Sequence, residues 1–462
     1  MKTIKLITLL VLGLLASCSP EKENMVTSLK GEVINPKGDN ISLRLQDTTI
    51  TAALDSVGNF QTNIPINKAE KVVFAHGNEI TTLYLRPGDQ LSLTIDPREF
   101  DESIKYEGKG AAINNFLAST VLMEDTLKGI AQLAALSEDS FLVAFRKNYV
   151  LKENALEKSG VKDQEFKDWY LKNNDWEFYF NLLNYSGYKS RLTKEEFEPS
   201  ENFYAFQDSL DLYDSSNLDY EFFIPYLQRQ ITFKVGEKFK DKGPQDVSEY
   251  VMASVEEVNS IPSDPIKGEL LYQVINVHLN RLNKEDRDSL IVEWKALNSS
   301  KKRLKNVEDK LEVLASLAKG NPAPGFKYVN LEGDSMTMAD FKGKVVYIDV
   351  WATWCAPCIA EHPHMEELQK QYENENVAFI AISVDSSPEP WKKMVKKKEL
   401  GGIHLYAEGA WGATIMQKYA ISGIPRFILI DQEGNIADAN AARPSGDIAE
   451  DIDDLLSKGV QL

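Results

Sequence analysis

Cysteine is nearly absent from this chain: 462 residues hold three, Cys18, Cys355 and Cys358. That scarcity excludes the disulfide-stapled scaffold of a small secreted domain. Basic residues are also in short supply. The 52 lysines and arginines face 70 acidic residues, a formal charge of −18 that favours solubility and argues against nucleic acid as a partner. Beyond the first residues no apolar run reaches membrane-spanning length. The chain is too long for one core and has room for about three domains.

The first residues read MKTIKLITLLVLGLLASC. Lys2 and Lys5 give a positive start to an apolar run, Ile4 to Leu15, too short for a permanent span. Its end, Leu15-Ala16-Ser17-Cys18, resembles the lipobox of bacterial lipoproteins. The resemblance implies removal of residues 1–17 as a signal peptide and lipid on Cys18, anchoring the chain to a membrane in the cell envelope. Ser19 stands where an aspartate would retain such a protein at the inner membrane, so the outer membrane, periplasmic side, is expected. An ordinary secretory signal with a chance cysteine is the plain alternative.

Three patterns follow. Over 18–108 the chain reads as short alternating strands, such as ISLRLQD (41–47) and TTLYLRPGDQLSLTID (81–96), the latter broken by an Arg-Pro-Gly-Asp turn. A small β-sandwich is expected there. Over 109–319 the period turns helical, as in 156–183 and 302–320, and an α-helical domain is expected. Aromatics crowd its middle, and packing of a helical core is a simpler reading of them than a client groove. Gly320-Asn-Pro-Ala-Pro-Gly325 stops the last helix. Strands then alternate with helices over 320–462, the pattern of an α/β fold with crossovers.

That last region contains WATWCAPCIAEHP (351–363). A strand, Val345–Val350, leads to a turn, and Cys355 falls where a helix begins at Ala356-Pro357-Cys358. Proline suits the first helical turn, where its missing N–H is not needed. The unpaired N–H groups and the helix dipole favour an anion, so a Cys355 thiolate is stabilised and made reactive. Cys358 is one turn further on, more buried. An exposed low-pKa thiol beside a resolving thiol is what thiol–disulfide exchange requires. Glu361 follows Cys358 by three residues and Asp349 lies inside the apolar strand; each is a candidate acceptor for the Cys358 proton.

These residues resemble thioredoxins, and in particular the TlpA/ResA-like family of membrane-anchored bacterial thiol–disulfide oxidoreductases. The resemblance covers the last third of the chain and rests on Asp349, Trp351, Trp354-Cys355-Ala356-Pro357-Cys358, Glu361, Pro363 and Gly423-Ile424-Pro425. It implies a thioredoxin-like fold and a redox disulfide between Cys355 and Cys358. It also implies a cis-proline at Pro425 that, with Ile424 and Trp354, binds the substrate chain. No cofactor or metal is called for. Disulfide-containing envelope proteins are the implied substrates and a membrane thiol donor the implied reductant. Glu361 matches a family glutamate and Asp349 the buried aspartate of thioredoxins, although many TlpA/ResA-like proteins have a neutral residue there. The segment 386–412 is expected to add a strand and a helix. For the N-terminal part the resemblance, to sandwich modules of Bacteroidetes-type lipoproteins, is one of pattern alone.

Three rivals compete. Cys355, Cys358, His362 and His364 have the spacing C-x2-C-x3-H-x-H of a zinc site, but residues two apart on a helix face different ways, and the histidines are expected to be exposed. A peroxidase of the peroxiredoxin class would need a threonine or serine three residues before its cysteine and a proline seven before; Ala352 and Ile348 stand there. A non-enzymatic binding lipoprotein with a vestigial thioredoxin domain would have no reason to keep both cysteines and the proline.

Overall fold

The structure, a computed structural model, describes residues 26–459 apart from 47, 245 and 299. The signal segment 1–17 and Cys18 lie outside the described residues. The chain divides into two compact units, Met1–Phe203 and Tyr204–Leu462. This boundary falls inside the 109–319 stretch, so the helices expected as one domain are shared between two units.

The first unit opens with eight strands: β1 Thr27–Val33, β2 Asn40–Arg44, β3 Thr49–Ala53, β4 Asn59–Ile64, β5 Glu70–His76, β6 Glu79–Leu85, β7 Gln90–Ile95 and β8 Lys105–Lys109. They form two four-stranded sheets, β4-β1-β7-β8 and β3-β2-β5-β6. Alternation decides which side chains turn inward. Leu91, Leu93 and Ile95 of β7 and Leu29 and Val33 of β1 meet Leu43, Phe74 and Leu83 of the other sheet in one core. Each such burial contributes roughly 1.5–3 kcal/mol. The Arg-Pro-Gly-Asp turn is present, closed by Asp89 N–H donating to the Arg86 carbonyl at 3.0 Å. It carries the chain from one sheet to the other instead of closing a hairpin, since β6 and β7 belong to different sheets.

Helices follow: α1 Phe100–Ser103, between β7 and β8, then α2 Ala111–Glu124, α3 Ile130–Leu133, α4 Glu138–Lys158 and α5 Gln164–Thr193. The periodic run 156–183 is broken between α4 and α5, where Gly160 takes a φ of 76° and Asp163 caps α5 by accepting the Phe166 N–H at 2.8 Å. The aromatics pack on one another; Phe141 stacks on Tyr185 with centroids 4.0 Å apart.

The second unit begins with α6 Phe223–Lys238, α7 Val247–Asn259, α8 Asp264–His278, α9 Lys284–Leu297 and α10 Lys301–Ser316. After them come β9 Lys327–Val329, β10 Ser335–Thr337, β11 Val345–Trp351, α11 Ala356–Gln371, β12 Val377–Ser383, α12 Pro388–Lys398, β13 Ile403–Tyr406, α13 Thr414–Lys418, β14 Arg426–Ile430, β15 Ile436–Asp438 and α14 Ile448–Lys458. The sheet order is β10-β9-β13-β12-β11-β14-β15. This is a thioredoxin-like fold, and α12 with β13 is the added helix and strand expected from segment 386–412. Every residue of β11 is buried, as a central strand covered on both faces must be. Val345 and Tyr347 pack under α11 and α14 through Met365, Leu368, Ile448 and Ile452. Val346, Ile348 and Val350 face Trp391 and Val395 of α12 and Ile415 of α13.

Candidate active site

The end of β11 and the start of α11 present the dithiol. Cys355 is the N-cap of α11 and is joined to Cys358 in a disulfide, with the Cα atoms 5.3 Å apart. The Cys355 sulfur accepts the Cys358 N–H at 3.2 Å, so one of the orphan donors of the helix start points at it. The expectation of an exposed Cys355 needs correction: in the disulfide it is 4% exposed and Cys358 0%, because both sulfurs sit in the core cluster with Trp351 and Ala352. Exposure is found one residue earlier. Trp354 is 57% exposed and packs against Trp411, 51% exposed, with centroids 6.0 Å apart. The Ile424–Pro425 peptide bond is cis.

The loop before Cys355 is pinned by a residue that the sequence reading missed. Asp385, two residues past the end of β12, is 2% exposed. It accepts the Thr353 N–H at 3.1 Å, the Thr353 hydroxyl at 2.7 Å and the Ser383 hydroxyl at 2.8 Å. A buried carboxylate with these donors fixes the backbone that delivers the dithiol. A carboxylate two residues past the apolar core of β12, where active-site loops of parallel sheets gather, was the available signal.

Both candidate carboxylates are buried. Asp349 lies on the face of β11 that also carries Val345 and Tyr347, and burial, with the Glu361 charge adding to it, pushes its carboxyl up to about 8. Its Oδ1 has no hydrogen-bond partner among the described residues. Glu361 accepts the Ser445 N–H and the Ser445 hydroxyl, each at 3.1 Å, and Arg443 Nη1 lies 3.6 Å from it. Neither Ser445 nor Arg443 was legible in advance, since both are more than 80 residues away in sequence.

A cavity of about 20 Å³ lies beneath α11, lined by Asp349, Trp351, His362 and His404 among others. That is room for about one water. Trp351 Nε1, His362 Nδ1 and His404 Nδ1 are, like Asp349 Oδ1, buried without a partner among the described residues. The expectation that His362 is exposed is therefore overturned. It is 8% exposed and sits edge-on to Trp351 with centroids 4.9 Å apart. Burial, with Lys398 and His404 adding to it, pulls its imidazole down to about 4. His364 remains largely exposed, 3.8 Å from Glu367.

The arrangement is that of a thiol–disulfide exchange centre: two sulfurs at a helix start and an aromatic platform beside them, with a protonatable carboxyl buried on the strand that leads to them. The sequence is similar to known proteins. A family model for redoxin matches residues 318–456. A thiol-disulfide oxidoreductase ResA of Bacillus thuringiensis is 34% identical over 129 residues, 28% of this chain and 69% of the relative. One from Halalkalibacterium halodurans is 30% identical over 142 residues, 30% of this chain and 79% of that protein. A crystal structure of a Bacteroides vulgatus protein is 40% identical, covers 31% of this chain and 99% of its own, and gives a TM-score of 0.29. The chain belongs to the ResA-like family of thiol-disulfide oxidoreductases.

Proposed function

We propose that this protein is a lipid-anchored reductase of disulfides in envelope proteins, held by Cys18 at the outer membrane and facing the periplasm. The observation that carries the reading is the Cys355–Cys358 pair at the N-terminus of α11. In the reduced form a Cys355 thiolate gains from the helix dipole and the Cys358 N–H. It attacks one sulfur of a client disulfide and displaces the other as a thiolate, which takes a proton. Cys358 then loses its proton and attacks the Cys355 sulfur of the mixed disulfide. The client leaves with two thiols, and the protein keeps the disulfide seen here. A membrane dithiol donor must return the two electrons.

Asp349 is the better acceptor for the Cys358 proton. A carboxyl raised to about 8 holds or releases a proton near working pH. Glu361 already has both oxygens engaged by Ser445 and Arg443, so it fixes a charge beside Asp349 and tunes it. Trp354 and the Ile424-Pro425 backbone receive the client chain. In an insulin-type disulfide reduction, Cys355→Ala should abolish turnover and Cys358→Ala should accumulate mixed disulfides. Equal turnover in wild type and Cys355→Ala would sink the reductase reading. Labelled palmitate should enter the wild type and not Cys18→Ala; an unlabelled wild type would remove the anchor.

A further inference from the structure

Next to the dithiol the second unit has a wall that the redoxin match, beginning at residue 318, does not include. The end of α8 is clamped onto the segment that leads to Pro425. Ser422 donates its hydroxyl to the Val277 carbonyl at 2.7 Å, and Asn280 Nδ2 donates to the Ala420 carbonyl at 2.6 Å. Arg281 lies so close to Gly423 that a Cβ there would meet its Nη2 at 2.9 Å. Beside this clamp is a cleft of about 410 Å³, lined on one side by Leu279, Val313 and Leu314 and on the other by Trp411, Met416 and Ile421. Trp411 is shared between the cleft and the Trp354 platform, and Ile421 precedes the cis-proline peptide by three residues. The cleft therefore continues the dithiol surface.

The cleft's own lining carries one acid and one base, Asp309 and Lys310; the clamp beside it is more one-sided. Arg281 is half-buried with no carboxylate facing it among the described residues; the charged group it feels is Arg443. Arg426, 3% exposed, feels Arg281 as well, and is offset by the carboxylate of Asp438. Only Arg443 of the three lies within ion-pair reach of Glu361. In a chain of net charge −18, the Arg281 guanidinium, unpaired among the described residues next to the Ile424-Pro425 peptide, is a local excess of positive charge. Desolvating it without a partner costs free energy that a bound carboxylate would recover.

We infer that α8 and α10 form part of the client site and select the client. The occupant is an extended polypeptide segment carrying an aspartate or glutamate next to its half-cystine. An apolar side chain enters the cleft against Leu314 and Trp411, and the carboxylate meets Arg281. This rests on the reductase reading above and names the substrate class for that same site.

The test uses the full chain and three disulfides: two peptides that differ only by Asp or Asn beside the half-cystine, and uncharged hydroxyethyl disulfide. Wild type should favour the Asp peptide in kcat/KM by about tenfold, mainly through KM, the size of one charge-assisted hydrogen bond. Arg281→Gln should collapse that ratio toward one, Arg281→Lys should keep most of it, and raising the salt concentration should narrow it in the wild type without any substitution. Leu314→Asn should lower the ratio of either peptide to hydroxyethyl disulfide several-fold. An active wild type indifferent to the aspartate overturns the inference and leaves the reductase reading intact. So does a ratio that survives Arg281→Gln. Undiminished turnover in Cys355→Ala would instead strike the reading on which it rests.

Discussion

In the sandwich, the buried His76 and Asp89 are engaged, whereas the hydroxyl of Tyr106 in β8 has no partner among the described residues. His76 has both ring nitrogens occupied, Nε2 accepting the Lys37 N–H at 2.8 Å and Nδ1 facing the Asn40 carbonyl at 2.9 Å. Asp89 accepts the Arg86 N–H at 2.9 Å and lies 3.3 Å from its guanidinium. Under α11 the same residue types are treated oppositely. Asp349 and His362 are just as buried, yet Asp349 Oδ1 and His362 Nδ1 find no partner among the described residues. Satisfied groups specify a fold; unsatisfied ones hold free energy in reserve for a proton. The difference is local, because Asp385 and Glu361 in the same unit are well supplied with donors. It marks the cavity under α11 as the place where burial of polar groups is left uncompensated among the described residues.

Identical substitutions in the two regions should therefore differ in size, and for aspartate in sign. The largest effect is expected at Asp349. Its folded carboxyl titrates near 8 against an ordinary 3.8, so between those values the folded state keeps a proton that the unfolded chain releases. Stability then falls as pH rises through that window, by about 1.4 kcal/mol per pH unit, and the whole cost is present above pH 8. Asp349→Asn should stabilise the oxidised protein by several kcal/mol at pH 8 and little at pH 4, while slowing release of the mixed disulfide. Urea unfolding read by hydrogen-exchange protection of β11 at the two pH values decides it; a destabilised variant at pH 8 would break the comparison. Next comes His76→Leu, which strands the Lys37 N–H and the Asn40 carbonyl and should cost roughly 2–4 kcal/mol in protection of β2 and β5. Asp89→Asn, a third test, loses its charge-assisted bonds to Arg86 and should cost roughly 1.5–3 kcal/mol. Neither sandwich variant should alter dithiol turnover in an insulin-type assay, and a change in it would show that the sandwich takes part in the reaction.

What was legible beforehand was local. Strand β11 and the helix start at Cys355 follow from short-range pattern, and the added α12 and β13 and the Ile424-Pro425 position from the family resemblance. The groups that organise the site come from afar: Ser445 reaches Glu361 across 84 residues and Asp385 reaches Thr353 across 32. No spacing rule encodes those meetings. The sandwich was legible as strands but not in its connections, because a turn motif does not say whether the next strand pairs or crosses to the other sheet. His362 was misplaced despite a usable signal: it precedes Met365 by three residues and Leu368 by six, which puts it on the buried stripe of α11.

His362 also supplies the smallest and most discriminating effect. At pH 7 its imidazole is neutral, and its Nδ1 has no hydrogen bond to lose among the described residues. Leucine keeps much of the volume and surrenders the edge contact with Trp351. His362→Leu should therefore change stability at pH 7 by no more than about 1 kcal/mol, in contrast to the same substitution at His76. Acid reveals the rest. With a folded value near 4 against an ordinary 6.5, the unfolded chain takes up a proton that the folded state refuses, so wild-type stability is lost as pH falls from 6.5 toward 4. Leucine removes that loss, and the variant should gain on wild type steadily across this window. β11 protection measured under urea at pH 7 and pH 5 tests both halves. A variant that is badly destabilised at pH 7, or that tracks wild type in acid, would mean that His362 is a satisfied core residue like His76.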